Sequence, residues 1–206
     1  MKKIILILFF LLIQNISFGQ EEGNSATIIF NDNTTIKGFG EIKKNKIYFK
    51  LTLDEKPDVW SYDIVKGIIF SGYGYSEKHE YIKPDKYSKP ILMEVIEEGN
   101  VNLYRKNSLS FSPSFDANGG GSFNSTFHNN SVISGNTHYE VSTIFYVKKL
   151  NEEYATDIVF SFKARANRYF SDCEIIIKKL KDRTFNSENI PQMVTYYNNF
   201  CYEGEN

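Results

Sequence analysis

The chain has 206 residues, 24 Lys and Arg against 25 Asp and Glu, and a net charge of −1. No block of like charge stands out, which argues against nucleic acid and anionic membranes, both of which call for clustered Lys and Arg. The aromatic share is 16%, carried by Phe and Tyr with a single Trp, as expected of core and cross-strand partners in a strand-rich chain.

Lys2 and Lys3 precede an unbroken apolar run from Ile4 to Ile13. Ser17-Phe18-Gly19 then places small residues at −3 and −1 of a cleavage before Gln20. This is the pattern of a secretory signal peptide over 1–19. As a helix the apolar run reaches about 15 Å, half the hydrocarbon core of a bilayer. No Cys follows it to take a lipid. The expectation is an exported chain with no transmembrane anchor after cleavage, placed in the periplasm, on the outer surface or in the medium. Cleavage removes Lys2 and Lys3 and leaves the remainder slightly acidic. Its length suits one domain with a sizeable core or two small packed subdomains.

The segment 25–70 reads as a β-meander. Ala26 to Phe30 is a short apolar strand, and Asn31-Asp32-Asn33 a turn. Thr34 to Ile42 follows with Ile36, Gly38, Gly40 and Ile42 on one face, where alternate glycines suggest a bent strand or close approach of another backbone. Lys43 to Lys46 is a polar turn. The next strand alternates, with Ile47, Phe49, Leu51 and Leu53 inward. Asp54 to Asp58 is a loop, and Val59 to Phe70 supplies one or two more strands. Such short bent strands suit a half-open SH3-like barrel.

Beyond Gly72-Tyr73-Gly74-Tyr75 a second antiparallel sheet spans 76–160. Its strands are Glu80 to Lys83, Ile91 to Ile96, Val101 to Lys106, Tyr139 to Leu150 and Tyr154 to Phe160, with Glu98-Gly99-Asn100 as a hairpin turn. Between them, 107–137 is rich in Ser, Asn, Gly and Phe and nearly uncharged, and reads as a flexible insertion. Two roles stand for it: a passive insertion, or a partner-binding loop using Phe111, Phe115, Phe123 and Phe127.

At 161–206 the period changes from two to 3.6. Ser171-Asp172-Cys173-Glu174 has the form of a capping box, with Phe170 and Ile175 as the flanking hydrophobic staple. Cys173, Ile176, Ile177 and Leu180 share a face. A second helix begins near Asn186 or Ser187 and carries Ile190, Met193, Val194, Tyr197, Phe200 and Cys201 on one face. Phe162 to Phe170 is a candidate third, shorter helix. Folding the pair at about Phe185 brings Cys173 and Cys201 to the same end of an αα-hairpin. In an exported chain that placement favours a Cys173–Cys201 disulfide, with two buried free thiols as the alternative. The fold class is therefore α+β, with two antiparallel β regions before C-terminal helices.

Chemistry-bearing motifs are sparse. His79, His128 and His138 form no H-x-x-x-H pair, so a zinc hydrolase is disfavoured, and neither a metal nor a cofactor is expected. There is no G-x-S-x-G, P-loop or dinucleotide fingerprint, and no catalytic residue is assigned. Tyr73, Tyr75, Tyr81 and Tyr87, interleaved with Lys78, Lys83, Lys86 and Lys89, form a candidate ligand-binding segment for a glycan or anionic polymer, against a plain tyrosine-rich sheet edge. The signal ending, the Lys, Ile and Asn bias, the Phe30-to-Gly38 strand–turn–strand and the tail from Tyr169 to Asn198 resemble exported flavobacterial proteins of no characterised family. That resemblance implies export and architecture and no activity. The expected function is a non-catalytic envelope or interaction protein, with an unknown envelope protein or glycan as partner. A glycan-binding module and a carboxylate-dependent hydrolase are the alternatives. An enzyme would bring two carboxylates together in a pocket with raised pKa values. An interaction protein would instead expose an apolar patch.

Overall fold

The computed structural model describes residues 24–72, 74–113 and 137–201. The signal segment, Tyr73 and the centre of the expected insertion lie outside the described residues. The chain is α+β, with ten antiparallel strands and, among the described residues, three short C-terminal helices. It divides into two compact units at Ser76–Glu77.

The first unit is a five-stranded meander. Its strands are β1 (Ser25–Phe30), β2 (Thr35–Lys43), β3 (Lys46–Lys50), β4 (Asp58–Trp60) and β5 (Val65–Gly72). They lie in the order β5-β1-β2-β3-β4, so the last strand returns beside the first. Two tight turns set the register. In the first, Asp32 Oδ1 accepts from the Thr34 N–H and hydroxyl at 2.9 and 2.6 Å. In the second, Lys44 and Asn45 both take positive φ between the paired residues Lys43 and Lys46, as a two-residue hairpin demands. Ala26, Ile28, Ile47, Phe49, Val65 and Ile68 are buried and form the core. Gly40 is also buried, and a Cβ there would stand 2.5 Å from Ile68 Cδ1. The glycine thus makes room for a β5 side chain against β2.

The strand expected through Leu53 ends earlier. Leu51 and Leu53 are exposed rather than inward. The cause is local hydrogen bonding. Glu55 Oε2 accepts from the backbone of Leu51 and Thr52, both at 3.2 Å, and Lys50 Nζ donates to the Leu53 carbonyl at 2.6 Å. These bonds offer the backbone an alternative to the ladder.

The second unit carries β6 (Tyr75–Ile82, from just before the boundary), β7 (Ile91–Glu97), β8 (Val101–Pro113), β9 (Thr137–Lys149) and β10 (Thr156–Asp157), in the order β10-β9-β8-β7-β6. The β8–β9 ladder runs from Val101–Lys149 to Pro113–Thr137. Residues 107–113, expected to open the insertion, are therefore strand. Composition concealed the alternation of Leu109 and Phe111 with Ser108, Ser110 and Ser112, a period of two. β10, by contrast, is only two residues of the longer partner strand expected over 154–160.

Three helices follow: α1 (Phe162–Tyr169), α2 (Glu174–Lys181) and α3 (Ile190–Phe200). Phe170, Ile176, Leu180 and Val194 pack with Val101, Leu103 and Val147 in one core cluster. Strand alternation turns Tyr104 away from Leu103, and Tyr104 joins Ile82, Met93 and Ala155 in a second, smaller cluster. The expected capping box does not form. The N-cap of α2 is Cys173, which makes no side-chain cap bond. Asp172 is drawn instead to Lys149 and Tyr197. Ile175 is exposed, so it does not staple to the buried Phe170. α3 starts a few residues late because Asn186 and Asn189 build a turn first, with Asn189 Oδ1 accepting from the Asn186 N–H at 2.8 Å.

α3 is fixed to the β7–β8 turn by Asn198. Its Oδ1 accepts from the Val101 N–H and its Nδ2 donates to the Val101 carbonyl, both at 2.9 Å. Gly99 allows this, since a Cβ there would lie 2.5 Å from Asn198 Nδ2. Val101 is fully buried, so Asn198→Ala leaves one donor and one acceptor without partners. The expected cost is about 2 kcal/mol or more, read as a lowered Tm. An unchanged Tm would mean that water replaces both bonds.

Candidate functional site

The tyrosines proposed as a binding segment are spread out. Tyr75 opens β6 and is exposed. Tyr81 lies six residues along the same strand, about 20 Å away, and is half-buried opposite Leu92. Tyr87 sits in the following loop, 86% exposed, with the Lys86 ammonium 4.6 Å from its ring centroid. Tyr73 falls outside the described residues.

The disulfide corner gathers the densest chemistry. Cys173 and Cys201 are bonded, with Cα atoms 5.5 Å apart. Beside them is a cavity of about 390 Å³ lined by Asn100, Lys149, Leu150, Asn151, Asp172, Tyr197 and Cys201. Lys149 Nζ donates to Asp172 Oδ2 at 2.7 Å, and the Tyr197 hydroxyl donates to the same oxygen at 2.7 Å. The Lys149 ammonium also stands 5.4 Å from the Tyr169 ring centroid and 5.7 Å from that of Tyr197. Glu152 Oε2 accepts from the Lys149 backbone at 2.9 Å and from the Tyr169 hydroxyl at 2.6 Å. Sequence periodicity did not reveal this cluster, because its members come from β9, the loop after it and the helix ends.

The corner's protonation states suit structure better than proton transfer. Burial opposes ionisation of Asp172, but the hydrogen bonds from Lys149 and Tyr197 and the lysine charge outweigh it, and its pKa falls below the usual value. Burial, then the bond to Glu152 and its charge, push the Tyr169 phenol far up. A carboxylate with a lowered pKa is not the acid with a raised pKa that a carboxylate hydrolase calls for, and its Oδ2 already accepts from Lys149 and Tyr197. Asp32, Asp85 and Asp182 are also shifted down, each chiefly by a nearby hydroxyl: Thr34, Ser88 and Thr184.

The other candidate surface is apolar and belongs to the first unit. Leu51 and Val59 are 56% and 50% exposed, and Ile36, Leu53 and Ile64 are exposed with them. Leu51 lies over Gly38, its Cα 3.2 Å from where a Cβ would stand. Ile36 is two residues before Gly38 on the same strand face. Val59 lies on β4, the last strand in this unit's order, opposite Tyr48, so it leaves the sheet on the face away from Ile36, which pairs with the core residue Ile28.

No family model, curated protein or solved structure matches the chain.

The Asp172 carboxylate has a calculable pH signature. Its lowered folded pKa means that its contribution is fully present above the unfolded value of about 3.9 and is lost as pH falls through the lower folded value. At pH 7, Asp172→Asn is expected to cost about 1 kcal/mol, allowing for solvent screening of a half-exposed pair. That corresponds to a Tm lower by about 2–4 °C. The two proteins should converge as pH falls below both the unfolded and the lowered folded value, where the wild-type carboxyl is protonated in both states. A gap that persists unchanged at low pH would show that the carboxylate charge is not its source.

Proposed function

We propose that this chain is an exported, non-catalytic interaction protein that binds a protein partner through the apolar surface of its first unit. The observation that carries the reading is the exposure of Ile36 and of Leu51 beside Gly38 on the same side of a small meander, with Leu53 and Ile64 exposed in loops of the same unit. A contiguous apolar patch left in water marks an interaction surface, and Leu51 beside Gly38 continues the face that carries Ile36. The locked state of the Lys149–Asp172–Tyr197 corner supports the non-catalytic part. The disulfide and the signal-like segment 1–19 support export, since such bonds persist in oxidising compartments. No helix among the described residues is long and apolar enough to cross a membrane.

The partner contributes apolar side chains rather than an added strand. β4 has only three residues and is preceded by Lys56 and Pro57, devices that guard an edge against strand pairing. A glycan has weaker support, because the exposed Tyr75 and Tyr87 are dispersed and Lys86 sits over the Tyr87 ring.

Chemical cross-linking of the protein in its native envelope tests the reading. The wild type is expected to give one discrete heterologous adduct. The double variant Ile36→Ser, Leu51→Ser should lower its yield at least tenfold, with Tm held within about 3 °C because both sites are exposed. Equal yields from the two proteins, or the absence of any adduct, would overturn the proposal.

A further inference from the structure

One cluster in the second unit takes no part in that surface. Glu77 and His79 are two residues apart on β6, so their side chains leave the same face of the strand. Across the β6–β7 ladder His79 is directly opposite Glu94. His79 Nε2 lies 3.3 Å from Glu77 Oε1. One ligating atom from each of the three residues falls within 4.8 Å of the others. The His79 and Glu94 side chains are each only 16% exposed, whereas Glu77 is 43% exposed and forms the open side.

A third strand braces the group. Arg105, on β8 opposite Glu94, donates from Nε to Oε2 and from Nη2 to Oε1, both at 2.7 Å. A carboxylate has about four lone-pair sites, so a bidentate guanidinium leaves two unused. The arginine thereby orients Glu94 in the way that outer hydrogen bonds orient metal ligands. With two carboxylates, one guanidinium and a neutral imidazole, the group carries one net negative charge.

We propose that Glu77, His79 and Glu94 bind a first-row divalent cation of the zinc type. The donor set selects the class. One imidazole nitrogen with two carboxylates suits zinc and its neighbours, whereas calcium and magnesium take oxygen alone and copper(I) takes sulfur. Zinc bonds of about 2.0–2.2 Å place tetrahedral ligand atoms roughly 3.3–3.6 Å apart. The present spread needs only a small closing movement, which the more exposed Glu77 is free to make. Three protein ligands leave a coordination position for water. Sequence search for paired histidines passes over this arrangement, because its signal is Glu-x-His on a strand and its third ligand comes from the neighbouring strand.

Untagged protein, freed of metal by chelation and dialysis, is titrated with Zn²⁺ and, separately, Co²⁺. One ion per chain is expected, with a visible Co²⁺ ligand-field spectrum and no displacement by millimolar Ca²⁺ or Mg²⁺. His79→Gln and Glu77→Gln should each weaken Zn²⁺ at least tenfold and abolish the Co²⁺ spectrum. Glu77→Gln decides the matter if His79→Gln does not fold. The double variant His128→Gln, His138→Gln should leave both signals unchanged. The absence of saturable binding, binding indifferent to His79 and Glu77, or binding lost with His128 and His138 would each overturn the site.

Discussion

The covalent bond between Cys173 and Cys201 joins the residue before α2 to the residue after α3, and the helical layer of the second unit depends on it. The helices have eight, eight and eleven residues. Helices this short are marginal in water alone. Their order comes from packing Phe170, Ile176, Leu180 and Val194 on the face that carries Val101, Leu103 and Val147. The disulfide closes a separation of 28 residues, worth roughly 3–4 kcal/mol in the chain-entropy model. That is a large fraction of the net stability of about 5–15 kcal/mol typical of a domain.

The same bond organises the charges around it. Asp172 precedes Cys173, and Tyr197 lies one helical turn before Cys201. Joining the cysteines brings the phenol and the carboxylate together, and Lys149 completes the set from the end of β9. Lys149 and Tyr197 both donate to Asp172 Oδ2 at the wall of the cavity. Asn198, next to Tyr197 on α3, then locks the helix to the β7–β8 turn. Cysteine pair, ion pair and amide clamp form one continuous attachment of α3 to the sheet. The groups proposed to act on other molecules lie elsewhere: the apolar side chains of the first unit and the Glu77–His79–Glu94 cluster on β6 and β7.

The legible parts of the sequence were those governed by local pattern. Short apolar runs marked β1 and β7, alternation marked β3, the Asn-rich turns marked the hairpins, and 3.6 periodicity marked the buried faces of α2 and α3, although Phe200 on the latter is 64% exposed. The cysteine pair followed from placing those faces about one turn. Readings failed where a side chain's hydrogen bond outweighed the periodic or spacing pattern, whether its partner was distant or near. Ser171 and Glu174 have the spacing of a capping box, yet the backbone at 170–173 follows the disulfide and Asp172 bonds to Lys149, which lies 23 residues away in sequence. Leu51 and Leu53 continue an alternating pattern, but Glu55 takes their segment into a turn. The extension of β8 to Pro113 was hidden by a composition typical of unstructured chain. The Glu77–His79–Glu94 cluster was illegible for a different reason. His79 and Glu94 meet only through strand register, which no local window contains.

Hydrogen exchange of the second unit, measured with and without a reductant that opens the disulfide, tests the central claim most directly. If the Cys173–Cys201 bond stabilises the helical layer by the expected amount, amides of α2 and α3, Leu180 and Val194 among them, should exchange about a hundredfold faster or more after reduction. Exchange in those helices that stays within about twofold of the oxidised protein would contradict the account.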